Sequence, residues 1–434
     1  MEQTARPKIV IIGGGFGGVE LAKRLKKAPV DVVLVDRHNY HTFQPLLYQV
    51  AIGAIEADSV GFPIRRIFTS QNNFKFLLTE VVKVCPEEKK LITTNGAIFY
   101  DYLVIATGSN TNFFGNQLIE QFAMPMKNIP EALNLRSVIL QNLEAVTFTA
   151  DIEDKMALMT FVVVGGGPTG VELAGALAEL RKVILMKDYH DLKSSEMKVY
   201  LIEGKSELLA GMSGKASVKA KKYLEEKSVT IFNGVHVMSY DGMTLKVDDG
   251  MIIKTRNVFW AAGVKGEVPP GLAGDVINKS GRIQTDNLNS VNGWPNIFAI
   301  GDAAAVTTTE LPNEHPGIAP VAIQQGRHLA KNLMNIINKQ KTTPFEYKEK
   351  GSLATIGRNQ AVADIGKLHL SGFFAWLLWG LVHIMSLAGF SNKGIIFLSW
   401  VINYFNNNSD NRLIIRTFNN KTRMIETEVS RLRI

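Results

Sequence analysis

Glycines at fixed spacing let a backbone close in on a phosphate, and this sequence repeats one such spacing. Gly13, Gly15 and Gly18 form G-x-G-x-x-G, and Gly165, Gly167 and Gly170 form it again 152 positions later. The stretches GGGFGGVELA (13–22) and GGGPTGVELA (165–174) agree at eight of ten positions. In this pattern the first glycine permits a tight turn and the second lets a pyrophosphate approach the main chain. The third lets the following helix pack on the preceding strand. That helix then aims its free N–H groups at the phosphates. Each turn is followed by a strand ending in an acid: VDVVLVD at Asp36 and KVYLIE at Glu203. A carboxylate there takes a ribose hydroxyl pair and favours a free 2′-hydroxyl over a 2′-phosphate, so NADH rather than NADPH is expected at the second turn. Two such turns imply two dinucleotides held at once, a flavin and a nicotinamide with hydride passing between them. The competing reading is a duplication with one site unused, yet both copies keep all three glycines and the acid.

The elements that position these turns are legible around them. KIVII and FVVV read as buried strands, ELAKRLKK as a helix, and ALAELRKVILMKDYHDL as a helical insertion before the strand that ends at Glu203. YDYLVIATGSN (100–110) is a strand entering an A-T-G turn at Ala106, Thr107 and Gly108; VFWAAGV (258–264) is its counterpart, with Ala262 and Gly263. NIFAIGDAAAV (296–306) places Gly301 and Asp302 just past a strand. Together these stretches resemble the two-dinucleotide-binding flavoprotein family over roughly residues 8–330. The resemblance implies FAD at the first turn, held through Gly13, Gly15, Phe16, Gly17, Gly18, Asp36, Arg37, Ala106, Thr107, Gly108, Gly301, Asp302 and Ala322. It implies NADH at the second, held through Gly165, Gly167, Pro168, Thr169, Gly170, Glu172, Glu203, Ala262 and Gly263.

Cys85 is the only cysteine, so no internal disulfide can form, and thiol–disulfide exchange needs two sulfurs. That excludes the disulfide reductases and the sulfide:quinone oxidoreductases of this fold. No Cys/His cluster has metal-ligand spacing, and no metal is expected. RHNYHTFQPLLYQVAIG (37–53) resembles the loop after the flavin strand in type II NADH:quinone oxidoreductases. GIAPVAIQQGRHLAKNL (317–333) resembles their quinone-site helix, with pattern A-Q-x-A-x-Q. Ala319, Ala322 and Gln324 fit that pattern and Gln325 follows, while Pro320 replaces the first glutamine. The resemblance implies a quinone pocket at Tyr48, Gln324, Gln325 and Ile396, with Gln324 its main polar contact. It also implies that Glu172 is a proton relay or quinone-binding group and that Lys393 is its partner. The plainer alternatives are that Glu172, like Glu20 at the equivalent place, stabilises a helix N-terminus, and that Lys393 is a lysine at the membrane surface.

The chain carries a net charge of +8, and residues 351–434 hold nine Lys/Arg against four Asp/Glu. No nucleic-acid motif accompanies this charge, so nucleic acid is not an expected partner. No signal-peptide apolar run precedes the first strand, and a start in the reducing cytoplasm is expected. Residues 373–390 (FFAWLLWGLVHIMSLAGF) lack formal charge apart from His383, and as a helix would reach about 27 Å, the short limit for crossing a bilayer. In the next stretch Asn392, Ser399, Asn403 and Asn406 share one helical face, and Arg412, Arg416, Lys421 and Arg423 follow, suited to anionic headgroups. Three arrangements compete: helices lying in one leaflet with Trp376, Trp379 and Trp400 near the interface, a buried dimer interface, and a spanning helix. The resemblance favours a monotopic homodimer on the cytoplasmic face of the cell membrane.

The expected fold is α/β, with two Rossmann-like dinucleotide-binding domains (FAD and NADH) plus a C-terminal membrane-associating helical segment. The boundaries expected are 1–112 with 270–345, 113–269, and 346–434. The activity implied is non-proton-pumping NADH:quinone oxidation with a membrane quinone, menaquinone or ubiquinone, as acceptor. Two rivals remain: an NADH-dependent flavoprotein serving a soluble acceptor, and an apoptosis-inducing-factor-like NADH-sensing interaction flavoprotein.

Overall fold

The structure is a computed structural model that describes residues 6–272, 274–306, 314–406 and 411–414. The chain divides into two compact units. The first comprises Met1–Thr42, Phe62–Asn110 and Val264–Glu349; the second comprises Phe43–Gly61, Thr111–Gly263 and Lys350–Ile434.

In the first unit the strands Trp294–Ala299, Tyr102–Ile105, Lys8–Ile12, Asp31–Asp36 and Phe74–Leu78 run side by side and parallel. Alternation along a strand sends successive side chains to opposite faces. Ile9, Ile11 and Leu34 therefore join one core with Leu21, Leu329 and Leu333, while Val10, Ile12, Val33 and Val35 join another with Leu103 and Ile105. Burial on both faces is why KIVII reads as an unbroken apolar run. The helix Phe16–Arg24 leaves the first glycine turn and packs on Ala319–Ile337, and a Cβ at Gly326 would lie 2.6 Å from the Gly17 carbonyl oxygen. Cys85 ends the strand Val81–Cys85, half-buried and free.

The second unit repeats the plan. Met124–Pro125, Asn257–Trp260, Thr160–Val164, Lys198–Glu203 and Val229–Asn233 form a five-stranded parallel sheet, and Pro168–Lys187 is the helix after the second glycine turn. The antiparallel strands Ser352–Gly357, Gln360–Ile365 and Leu368–Ser371 were not read from the sequence. They sit against that helix where Gly175 lacks a side chain: a Cβ there would come within 2.2 Å of the Ile356 carbonyl oxygen. Gly175→Ala is expected to push the two apart and destabilise the unit by about 1–3 kcal/mol, visible as a lower Tm.

Two helices, Phe373–Ser386 and Phe390–Asn406, close the described chain. The first has 14 residues, about 21 Å, because the 373–390 run breaks after Ser386. Among the described residues no helix is long and apolar enough to cross a membrane. The polar face expected on the second helix is a docking seam. The Asn392 side-chain amide donates to the carbonyls of Ser59 (3.2 Å) and Gly61 (3.1 Å), and that of Asn403 to Ala54 (2.9 Å). These bonds satisfy the carbonyls of Ala54, Ser59 and Gly61 and tie the 43–61 segment to the last helix within the second unit. Arg412 pairs with Asp188 at 2.8 Å. Arg416, Lys421, Arg423 and the side chain of Asn406 lie outside the described residues.

Candidate active site

The two glycine turns have one geometry. Gly13 and Gly165 adopt φ of +108° and +112°, values that favour glycine. A Cβ on Gly18 would lie 2.0 Å from the Gly13 carbonyl oxygen, and one on Gly170 1.8 Å from that of Gly165. Gly15 and Gly167 differ from these: a Cβ on either would meet nothing within 4 Å. The space is open where a pyrophosphate would rest on the helix N-terminus, so both turns fit a dinucleotide.

The acids are braced rather than free. Asp36 accepts the backbone N–H of Gly14 (2.6 Å) and of His38 (2.7 Å). Glu203 accepts those of Gly166 and Lys205 in the same way. Each carboxylate keeps lone pairs for a ribose diol. Arg37 is committed to Glu267 at 2.8 Å; burial opposes its charge, and Glu267 more than restores it. Thr107 donates its hydroxyl to the Glu267 carbonyl, Ala106 sits against Gly13 and Ala262 against Gly165. The Ser109 hydroxyl donates to Asp302 at 2.6 Å. Sequence spacing gave no sign of His41. Its buried imidazole donates from Nδ1 to the Gly14 carbonyl at 2.9 Å, and burial lowers its pKa, which keeps the ring neutral.

The second unit contains a cavity of about 630 Å³. Its wall draws Tyr48 and Gln49 from the 43–61 segment, Glu172 and Glu179 from the helix Pro168–Lys187, Thr355 and Arg358 from the added sheet, and Trp376, Trp379, Phe397 and Trp400 from the last two helices. The aromatic spacing in the tail was visible in the sequence, but the cavity it builds was not, because its far wall is 200 to 350 residues away in the chain.

Glu172 is the buried acid of this cavity. Burial pushes its carboxyl up to about 8, against weaker opposing pulls from the Thr355 N–H, 3.4 Å away, and from the Trp379 indole. The Trp379 Nε1 faces this carboxyl, although it meets no acceptor in good hydrogen-bond geometry. Glu20, at the same place in the first repeat, has the opposite fate. Burial raises its pKa, but Arg327 (2.6 Å) and Arg24 (2.9 Å) outweigh that and hold it below the ordinary value. One sequence position thus carries an ionised acid in one repeat and a protonated acid in the other at neutral pH. His383, pushed down to about 4 by burial, donates from Nδ1 to the Trp379 carbonyl at 2.7 Å and is neutral too.

Three residues expected at the quinone pocket, Gln324, Gln325 and Ile396, and the expected relay partner Lys393 each have a local place in the structure. Both amide atoms of Gln324 are taken by the Lys348 backbone, at 2.9 and 3.0 Å. Gln325 is buried and accepts the Gly301 N–H at 2.6 Å, so it holds the turn beside Asp302. Lys393 donates to the Met385 carbonyl at 2.9 Å, satisfying the C-terminal end of the preceding helix. Ile396 is fully buried and is not part of the cavity wall. Tyr48 and Glu172 do line the cavity.

Comparison with known proteins fixes the class these features define. Residues 7–326 match the family model for pyridine nucleotide-disulphide oxidoreductases, and residues 350–407 match that for an NDH2 C-terminal domain. The type II NADH:quinone oxidoreductase Ndh of Mycobacterium tuberculosis is 37% identical over 93% of this chain and 90% of its own length. That of Staphylococcus haemolyticus is 26% identical over 90% and 98%. The chain belongs to the type II NADH:quinone oxidoreductase branch of the pyridine nucleotide-disulphide oxidoreductase family. Among solved structures, NDH2 from Plasmodium falciparum in complex with NADH superposes with a TM-score of 0.86 at 23% identity, covering 95% of this chain and all of that one. The sulfide:quinone oxidoreductase of Aquifex aeolicus shares the fold at a TM-score of 0.71, while the single cysteine here excludes its sulfur chemistry.

Proposed function

We infer that this protein is a non-proton-pumping NADH:quinone oxidoreductase, with FAD in the first glycine turn and NADH in the second. When bound, FAD supplies the redox chemistry, accepting hydride from NADH and passing two electrons to the quinone. One observation carries the reading. The helix Pro168–Lys187 presents the Gly167–Gly170 cradle at its start and, within its first two turns, Glu172 to an apolar cavity. A nicotinamide site and an acid-bearing apolar cavity are thereby built on one rigid element. The backbone at Gly15 and Gly167 holds pyrophosphate, and Asp36 and Glu203 orient ribose. The aromatic wall of the cavity excludes water from a ring-shaped acceptor. Glu172, protonated at neutral pH, gives its proton to a quinone oxygen as charge arrives there. The direct test is steady-state turnover with NADH and a short-chain quinone. The reading expects one quinol per NADH and little turnover with NADPH. Turnover only with a soluble protein acceptor would contradict it.

The same reading places the last two helices in one leaflet, as part of a homodimer on the cytoplasmic face of the membrane. Phe374 (73% exposed), Met385 (65%) and Leu398 (58%) support this, since they turn large apolar side chains outward. Replacing all three with serine alters mainly exposed surface and is expected to weaken co-sedimentation with anionic vesicles at least tenfold. Undiminished binding would place the lipid contact elsewhere.

A further inference from the structure

The cavity wall holds a hydrogen-bond chain whose direction is fixed by chemistry. Trp400 Nε1 lies 2.8 Å from Gln49 Oε1, and Gln49 Nε2 lies 2.9 Å from the Tyr48 hydroxyl. An indole nitrogen can only donate, so the Gln49 oxygen must face Trp400 and its NH₂ must face Tyr48. The Tyr48 oxygen is then an acceptor in that bond, and its own hydrogen has no partner among the described residues. Tyr48 is buried and lines the cavity. A second donor on the same wall, Trp379 Nε1, is buried and faces the Glu172 carboxyl without good hydrogen-bond geometry. An unused buried donor is costly unless a ligand satisfies it, and the Tyr48 hydroxyl selects a ligand with an acceptor oxygen.

Resting on the quinone reading, we propose that Gln49 and Trp400 are positioning residues that turn the Tyr48 hydroxyl hydrogen into the cavity, making Tyr48 an obligate donor to a carbonyl oxygen of the quinone ring. Trp400 belongs to the helix Phe390–Asn406, which docks on the 43–61 segment through Asn392 and Asn403. Seating of that helix therefore sets the polarity of the site. If the indole donor is lost, the Gln49 amide is free to turn its oxygen to Tyr48 and capture the hydrogen.

The test is a double-mutant cycle on the FAD-loaded enzyme. Binding of a short-chain quinone to the oxidised protein is titrated by quenching of tryptophan fluorescence, and quinone KM and kcat are measured beside it. Trp400→Phe is expected to weaken quinone binding roughly three- to tenfold, the range for one neutral hydrogen bond. In a Tyr48→Phe background the same change is expected to add nothing. Gln49→Glu supplies a second, independent readout. As a neutral acid it donates to Tyr48 and mimics glutamine. As a carboxylate it accepts the Tyr48 hydrogen, so quinone KM should rise with pH in this variant more steeply than in the parent. Equal effects of Trp400→Phe in both backgrounds, or a Gln49→Glu KM that tracks the parent across pH, would overturn the proposal. A parent enzyme that is reduced by NADH but binds no quinone overturns the functional reading and this proposal with it, and the parent titration alone distinguishes that case.

Discussion

Gly170→Ala is expected to purify yellow and yet lose at least a hundredfold in kcat/KM for NADH, about 2.7 kcal/mol. A Cβ there would stand 1.8 Å from the Gly165 carbonyl oxygen. Side-chain carbons do not approach backbone oxygen closer than about 3 Å, so helix and turn must separate by more than 1 Å. That shift moves the N–H groups that hold pyrophosphate, and it does so in the second unit only. The matching change in the first unit, Gly18→Ala, would place its Cβ 2.0 Å from the Gly13 oxygen and is expected to yield protein that fails to retain flavin. The readouts are the flavin absorbance of purified protein and the NADH dependence of turnover. Loss of flavin from Gly170→Ala, with Gly18→Ala still yellow, would show that the cofactors are assigned to the wrong turns.

Glu172→Gln is expected to slow quinone reduction by roughly two orders of magnitude, the usual contribution of a positioned general acid. Its effect on flavin reduction by NADH should be far smaller. The pH dependence gives a sharper signature. Burial raises the Glu172 carboxyl from 4.5 to about 8. The parent should therefore sustain quinone reduction up to about pH 8 and lose it above, as the donor ionises, and the variant should lack that break. Stability follows the same shift. Between pH 4.5 and 8 the unfolded chain has released this proton and the folded protein still holds it. The folded state binds more protons in that window, so its stability falls as pH rises. The parent Tm should decline across the window through this term, and Glu172→Gln should decline less. Parallel half-reaction rates and parallel pH profiles in parent and variant would remove Glu172 from the proton path.

Local patterning made the two cradles legible. Gly13, Gly15, Gly18 and Asp36 are close in sequence, each is dictated by backbone geometry, and the repeat at Gly165–Gly170 with Glu203 obeys the same demands. The aromatic residues Trp376, Trp379 and Trp400 and the polar stripe through Asn392 and Asn403 were equally visible, although the stripe proved to be a seam against 43–61. What the sequence concealed depends on long-range assembly. Gln324, Gln325 and Lys393 each bond a nearby carbonyl or amide that their motif positions do not announce. No pattern in a single sequence shows those local bonds. Glu20 and Glu172 show the same limit: identical positions, different charge states, separated only by Arg327 and Arg24 on one side and an apolar wall on the other.

The central claim is that electrons pass from NADH through FAD to a quinone taken up in the cavity beside Glu172. Anaerobic sequential mixing tests it most directly. NADH is added first and the flavin absorbance followed, and a short-chain quinone is added second. The account predicts rapid bleaching on the first mix and full, rapid recovery on the second, with recovery slowed in Glu172→Gln. Bleaching that persists in the presence of excess quinone would contradict it.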